Sequence, residues 1–345
     1  MTNKLPITLL AQLDDVAIFQ TAAFSSIAAD MSKKNQQMCQ LGQASYGELN
    51  LGLHVNDDAE TVLTNRMRLL TAVNEQLVAP QDSSINTLPL NGVPIKSLHW
   101  VNQVHGKQIH DIDATALSMA PMAADAMISQ QVNVGLAIMT ADCVPIVLYQ
   151  QATGKMAAIH AGWQGLACGV IKATAGRFSD SGQIMAWIGV CISQENYEVS
   201  SDVRDKLLAG CIENQALTIE CINHFDECYV MTSNICHHSH NYSHAAIHSV
   251  TEVDTNTNTN TNRQSLHNTV DKLSSYAKVD SEKIKINLPK LAADQLQAVG
   301  ITVCNSSSIP CSYADDRYYS YRRQTHLQQP ATGRMALIIT RSAFI

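Results

Sequence analysis

Between residues 134 and 191 apolar runs alternate with short polar breaks, and this block is the most regular in the chain. Gly135-Leu-Ala-Ile-Met139 is almost continuously apolar, the pattern of a strand buried on both faces. Val144-Pro-Ile-Val-Leu-Tyr149 and Met156-Ala-Ala-Ile-His160 flank Gln150-Gln-Ala-Thr-Gly-Lys155, which predicts a hairpin connection. Met185 to Cys191 again reads as a strand. Apolar residues recur at helical spacing in Glu60–Val78, Gly165–Phe178, Ser201–Cys211 and Leu288–Val299. The first of these follows Asp57-Asp58, and acidic residues favour a helix start. Other strands are predicted at Ile95–Val104, after the turn signal Asn91-Gly92, at Ile301–Cys304 and at Met335–Thr340. Strands mixed with helices, some joined by hairpins, predict an α/β or α+β layer fold.

Two stretches interrupt this order. One, near residues 31–45, is rich in Lys, Asn and Gln; the other, near 236–270, contains Thr255-Asn-Thr-Asn-Thr-Asn-Thr-Asn262. Such segments bury too little apolar surface to offset the entropy of ordering them. They are read as insertions in one domain spanning residues 1–345. The histidines of the second (His237, His238, His240, His244, His248) have no rigid frame and are given no specific metal role.

Composition narrows the function. A net charge of −7 and a pI near 6.0 argue against a broad nucleic-acid footprint, while leaving room for a local basic pocket. The opening residues lead into a short apolar run broken by Asp14 and Asp15, so neither a secretory signal nor a membrane span is predicted. Ten cysteines without a Cys-x-x-Cys fit free thiols in a reducing cytoplasm better than a disulfide scaffold.

The candidate chemistry lies in Trp100-Val-Asn-Gln-Val-His105-Gly, Thr140-Ala-Asp-Cys143-Val-Pro and His160-Ala-Gly-Trp163. Two imidazoles and one thiolate make three-quarters of a tetrahedral zinc set, and three protein ligands with an open fourth position is the catalytic arrangement. In the predicted hairpin, a turn centred on Gln151-Ala152 would set Cys143 opposite His160, close enough to share an ion. His105 must arrive from a separate loop. The same spacing fits a metal-free pair, Cys143 as nucleophile and His160 as base. Asp142 and Asp125 are candidate orienting groups or proton carriers, or else turn and capping residues. Cys311 is not assigned to the site.

These segments resemble the YfiH-type family, also called the laccase-domain, polyphenol oxidase or peptidoglycan editing factor family. The resemblance also rests on Tyr46-Gly-Glu-Leu-Asn-Leu-Gly-Leu-His54-Val-Asn-Asp-Asp58, Asn65-Arg66, Ala124-Asp-Ala126, Ile188-Gly-Val-Cys-Ile192, Tyr197-Glu-Val199, Ser320-Tyr-Arg-Arg323 and Thr332-Gly-Arg-Met-Ala336. It implies a four-layer α/β/β/α sandwich with mixed sheets and a zinc ion on His105, Cys143 and His160, with copper the lesser alternative. It further implies phosphorolysis of adenosine, inosine, guanosine and methylthioadenosine, and deamination of adenosine. The expected partners are therefore a small nucleoside and phosphate, with no nucleic acid and no membrane. Copper-dependent phenol oxidation and editing of peptidoglycan precursors by a cysteine hydrolase are the alternatives.

For phosphorolysis, Arg66, Arg322 and Arg323 are the expected phosphate contacts, because guanidinium matches phosphate oxygens in bidentate geometry. Surface salt bridging is the competing role for the last two. The sequence departs from the family pattern at Phe24-Ser-Ser-Ile27, where Ser-Thr-Arg and a Gly-Gly turn are usual, at Gln164, where Arg is usual, and at Gly189-Val190, where Gly-Pro is usual.

Overall fold

A computed structural model describes residues 5–25, 42–78, 93–114, 121–232, 282–305 and 309–343. The polar stretch near 236–270, with its histidines, lies outside these residues, as do residues 31–41, Asn91-Gly92 and the second half of Phe24-Ser-Ser-Ile27.

Two sheets stack face to face. The first has the order β1 (Ile7–Leu13), β2 (Val16–Thr21), β14 (Met335–Arg341), β6 (Val134–Thr140), β3 (Ser97–His99), antiparallel except for the β3–β6 pair. The second has the order β13 (Thr302–Val303), β9 (Ile184–Ile188), β7 (Val144–Gln150), β8 (Lys155–Ala161), β5 (Ala126–Ser129), β4 (Ile109–Asp111), with parallel pairs at both edges. A small third sheet joins β10 (Glu198–Ser200), β12 (Lys283–Ile286) and β11 (Val230–Thr232).

Alternation along the strands sorts side chains into three layers of core. Ile18, Leu136, Ile138, Leu337 and Ile339 meet Val147, Tyr149, Met156 and Ala158 between the two sheets. The outer face of the first sheet (Phe19, Ala137, Ile338) packs on helix α1 (Ala59–Val78) through Leu69, Val73 and Leu77. The outer face of the second (Ile146, Leu148, Ile159, Ile188) packs on α2 (Trp163–Ala167), α3 (Val170–Ala175), α4 (Ser201–Glu213), α5 (Ile219–Asn223), α6 (Phe225–Tyr229) and α7 (Leu288–Ala298). The protein is thus the α/β/β/α sandwich with mixed sheets that the resemblance implies. A last short helix, α8 (Tyr321–His326), leads towards β14.

Local chemistry explains the ends of these elements. Asp58 accepts the Thr61 N–H at 2.8 Å and caps α1. The apolar pattern of 165–178 folds as two helices, because Gly169 turns the chain at φ +76°. The strand predicted over Ile95–Val104 is a ladder only at 97–99, with a single further bridge from Asn102 to Ala123. Beyond it, the Gln103 amide takes the place of a strand, donating to the Met139 carbonyl at 2.8 Å and accepting its N–H at 2.9 Å. The run interrupted by Asp14 and Asp15 is itself the hairpin β1–β2, and those aspartates are its turn.

The β7–β8 register differs from the sequence expectation by two residues. Pro145 pairs with His160 and Val144 with Ala161, which leaves Cys143 diagonal to His160 just before the strand. A shift of two residues returns every side chain to its own face, so alternation cannot distinguish the two registers.

Candidate metal centre

Two of the chain's crossings between the sheets, from β3 to β4 and from β6 to β7, frame the site. His105 lies on the first crossing and Cys143 on the second, while His160 stands near the end of β8. One ligand atom from each can be chosen so that all three lie within 4.8 Å of one another. The two imidazoles meet edge to face, with ring centroids 4.7 Å apart.

Asp125 organises half of this group. It is fully buried, and its Oδ1 accepts the Nδ1–H of His160 at 2.9 Å. A carboxylate only accepts, so the proton sits on Nδ1 and Nε2 is left as the ligand atom. The same carboxylate accepts backbone N–H groups from Val104 at 3.2 Å, His105 at 2.8 Å and Gly106 at 2.6 Å. Three successive donors around one anion hold His105 at φ +60°, a conformation unfavourable for a residue with a Cβ. Burial alone would raise the Asp125 carboxyl, but these bonds from His160, Gly106 and His105 hold it below its usual range.

The Cys143 loop is built differently. Thr140 Oγ1 donates to the Cys143 carbonyl at 2.5 Å, and Asp142 adopts φ +99°. The Asp142 carboxylate accepts the Ser312 hydroxyl at 2.7 Å and the Arg322 N–H, at the start of α8, at 2.6 Å. Its carbonyl accepts the Ile192 N–H at 3.0 Å. Asp142 therefore braces the loop against α8 and reaches no ligand histidine through these bonds, whereas Asp125 holds both. Gly162 lets the ligands converge: a Cβ there would come within 3.0 Å of the Cys143 sulfur and 3.3 Å of His105 Cδ2.

Burial pushes the Cys143 thiol up, yet the His160 and His105 imidazoles beside it bring it down to about 6. Burial likewise opposes charge on His160, but the Cys143 sulfur and the Asp125 carboxylate push it up to about 9. The donor set, one thiolate and two imidazoles with one of them oriented by a buried carboxylate, fits a divalent metal of zinc type.

The three residues border a cavity of about 530 Å³ lined also by His54, Trp163, Tyr197, Tyr321, Arg322 and Arg334. Of the arginines singled out by sequence, only Arg322 lines it. Its Nη1 donates to the Glu198 carbonyl at 2.5 Å, and its guanidinium lies 5.4 Å from the Tyr197 ring centroid. Arg323 is turned inward. It donates to the Ser312, Tyr313 and Tyr318 carbonyls and sits 3.4 Å from Asp316, so it is a buried structural group and does not reach the cavity. Arg66 donates twice to the Leu51 carbonyl, at 3.0 and 2.8 Å, and stacks on Trp100 at 4.2 Å; burial lowers it to about 10. It does not line the cavity either.

Arg334 and His54 line it without having been singled out from sequence. Arg334 Nη1 donates to the Thr332 and Gly333 carbonyls at 3.0 and 3.1 Å. Among the described residues neither Arg322 nor Arg334 has a carboxylate ion-pair partner, so the cavity holds two guanidinium groups without direct counter-ions. Burial first, then Arg334 and Arg66, lowers His54 and keeps it neutral at pH 7.

A family profile described as multi-copper polyphenol oxidoreductase laccase matches residues 35–226 and 241–342. The chain belongs to that family. It is 36% identical over 165 residues to the purine nucleoside phosphorylase YfiH of Escherichia coli, covering 48% of this chain and 59% of that protein. It is 33% identical over 184 residues to a purine nucleoside phosphorylase of Pseudomonas aeruginosa, covering 53% and 66%. The matches thus span about six tenths of the length of these curated relatives. Among solved structures, a Neisseria meningitidis protein superposes with a TM-score of 0.61 at 23% identity, covering 98% of this chain and 100% of that one. A Bacillus licheniformis hypothetical protein YfiH gives 0.60 at 19%, covering 97% and 96%. Both likenesses bear on the fold. Among the described residues no helix is long and apolar enough to cross a membrane.

Proposed function

We propose that this protein is a zinc-dependent purine nucleoside phosphorylase that also deaminates adenosine. The observation that carries the reading is the convergence of His105, Cys143 and His160 beside a cavity holding two arginines without direct counter-ions. The names of its relatives supply the reaction. Adenosine, inosine, guanosine and methylthioadenosine are the proposed nucleosides.

In phosphorolysis a phosphate oxygen bonds to C1′ of the ribose as the glycosidic C–N bond breaks and the purine leaves with the electron pair. Arg322 and Arg334 would hold the phosphate and keep its charge facing the sugar. Tyr197, Tyr321 and Trp163 offer flat faces for the base. Neutral His54 can exchange a hydrogen bond with a sugar hydroxyl or a ring nitrogen. A divalent ion on His105, Cys143 and His160 would supply Lewis acidity towards a substrate oxygen or a water. Asp125 fixes the tautomer and direction of His160.

Incubation with adenosine and phosphate should yield adenine, ribose 1-phosphate and inosine. Absence of all three from protein carrying one zinc per chain would refute the reading. Two other readings have their own support. The family description suggests copper-dependent phenol oxidation; that needs several copper centres, and the described residues offer one three-ligand group. Oxygen uptake with a phenol by copper-loaded protein would favour it. Cys143, His160 and Asp125 also line up as nucleophile, base and orienting acid. Alkylation of Cys143 as fast with metal bound as after chelation would favour that hydrolase reading.

A further inference from the structure

Behind the Cys143 loop lies a pair of sulfurs. Cys191 and Cys311 face one another across an isolated parallel bridge, in which the Ser312 N–H donates to the Cys191 carbonyl at 3.0 Å. Strands so paired lie about 4.7–4.9 Å apart, inside the roughly 4.4–6.8 Å Cα separation that a disulfide requires. Both thiols are free.

Their surroundings differ. The half-buried Cys311 sulfur accepts the Ser193 N–H at 3.3 Å and the Asn196 Nδ2–H at 3.4 Å. Two donors on one sulfur suit a thiolate; burial would raise it, but its hydrogen bonds, those from Ser193 foremost, bring it below the usual thiol value. Cys191 is 1% exposed and buried among apolar side chains, which pushes its thiol far up. Cys311 is only partly buried, and a cavity of about 430 Å³ beside it is lined by its partner Cys191 and by Ser193, sharing no lining residue with the metal cavity.

We propose that Cys311 is a peroxide-reactive thiol that closes a reversible disulfide with Cys191. The Cys311 thiolate attacks a peroxide oxygen: an S–O bond forms, the O–O bond breaks, and the departing oxygen leaves as water after taking a proton, giving a sulfenic acid. The Cys191 sulfur then attacks the Cys311 sulfur: the S–S bond forms, the S–O bond breaks, and hydroxide leaves with the Cys191 proton as a second water. Two thiols are oxidised and one peroxide is reduced; a dithiol reverses the change. The pair sits against the metal loop, since Ile192 and Ser312, the next residue on each segment, both bond to Asp142.

The test is peptide mapping of the metal-loaded full chain after equimolar hydrogen peroxide. The expected product joins the peptides carrying Cys191 and Cys311 with loss of two hydrogens, and dithiothreitol reverses it. Cys311→Ser should abolish the link and leave Cys191 as a thiol. Cys191→Ala should let dimedone trap the Cys311 sulfenic acid. A link to any other cysteine, or oxidation of the exposed Cys304 while Cys311 stays reduced, would overturn the proposal.

Discussion

Two crossings between the sheets, β3 to β4 and β6 to β7, carry two of the three metal ligands, and they are stiffened by opposite means. On the His105 crossing, one buried carboxylate from a neighbouring strand gathers three backbone donors and the second histidine, so a single residue sets both imidazoles. On the Cys143 crossing the carboxylate belongs to the loop itself, and Asp142 spends its bonds on Ser312 and α8. The first device shapes the ligands; the second holds the loop against the rest of the fold. Two aspartates beside ligand-bearing segments thus do different work, and the difference is measurable.

The largest effect expected is on pH. With Cys143 near 6 and His160 near 9, the metal-free pair carries one proton, on His160, between those values. Metal must displace it, so apparent affinity should rise by about one decade per pH unit from 6 to 9, more steeply below 6, and level off above 9. Titration with a competing chelator across this range checks the sign: a flat profile from 6 to 9 would mean that the proton is not shared in this way.

Asp125→Ala comes next. It strands three backbone donors and frees His160 to turn, which should cost about 3 kcal/mol of stability or more at about 1–3 kcal/mol per unsatisfied group and lower metal affinity about 100-fold. Chemical denaturation and metal competition read the two effects separately. Gly162→Ala keeps an allowed backbone, φ −71°, and so tests crowding alone. Its methyl pushes on Cys143 and His105, with an expected cost of about 1–3 kcal/mol and a clear loss of metal occupancy.

The arginines sharpen the contrast between cavity and core. Arg322→Ala and Arg334→Ala should each raise the KM for phosphate about tenfold with little change in melting. Arg323→Ala should do the reverse, destabilising the fold by about 1.5–3 kcal/mol because its guanidinium satisfies carbonyls in the interior. The smallest effect belongs to Asp142→Asn. Asparagine tolerates φ +99° as aspartate does and its one oxygen can still accept the Arg322 N–H, while the Ser312 hydroxyl must turn to accept from the new amide: about 1 kcal/mol and less than about a threefold change in metal affinity. An effect as large as that of Asp125→Ala would erase the distinction between the two crossings.

The periodic elements were legible in the chain, because α1, β6, β7 and β8 state their burial in their apolar spacing. The His105, Cys143 and His160 set was legible because soft ligands beside glycine and turn residues are uncommon inside strand-rich sequence. What failed to show was partnership across long separations. Asp125 and Asp142 both sit in short Ala-Asp contexts, and nothing local says which one meets His160. Arg322 and Arg323 are adjacent, but successive helix positions point about 100° apart, so one reaches the cavity and its neighbour the core. Arg334 lies just before an apolar strand whose far end carried the obvious signal; Gly333-Arg334 beside Thr332 was the only cue. The β7–β8 register escaped because a two-residue shift leaves every side chain on the same face.

The most direct test is anomalous diffraction at the zinc edge from crystals of the purified chain. One peak per molecule is expected, bonded to the Cys143 sulfur and to one nitrogen each of His105 and His160, with no fourth protein ligand. A fourth side chain on the ion, or no metal density between these three residues in zinc-loaded crystals, would contradict the account.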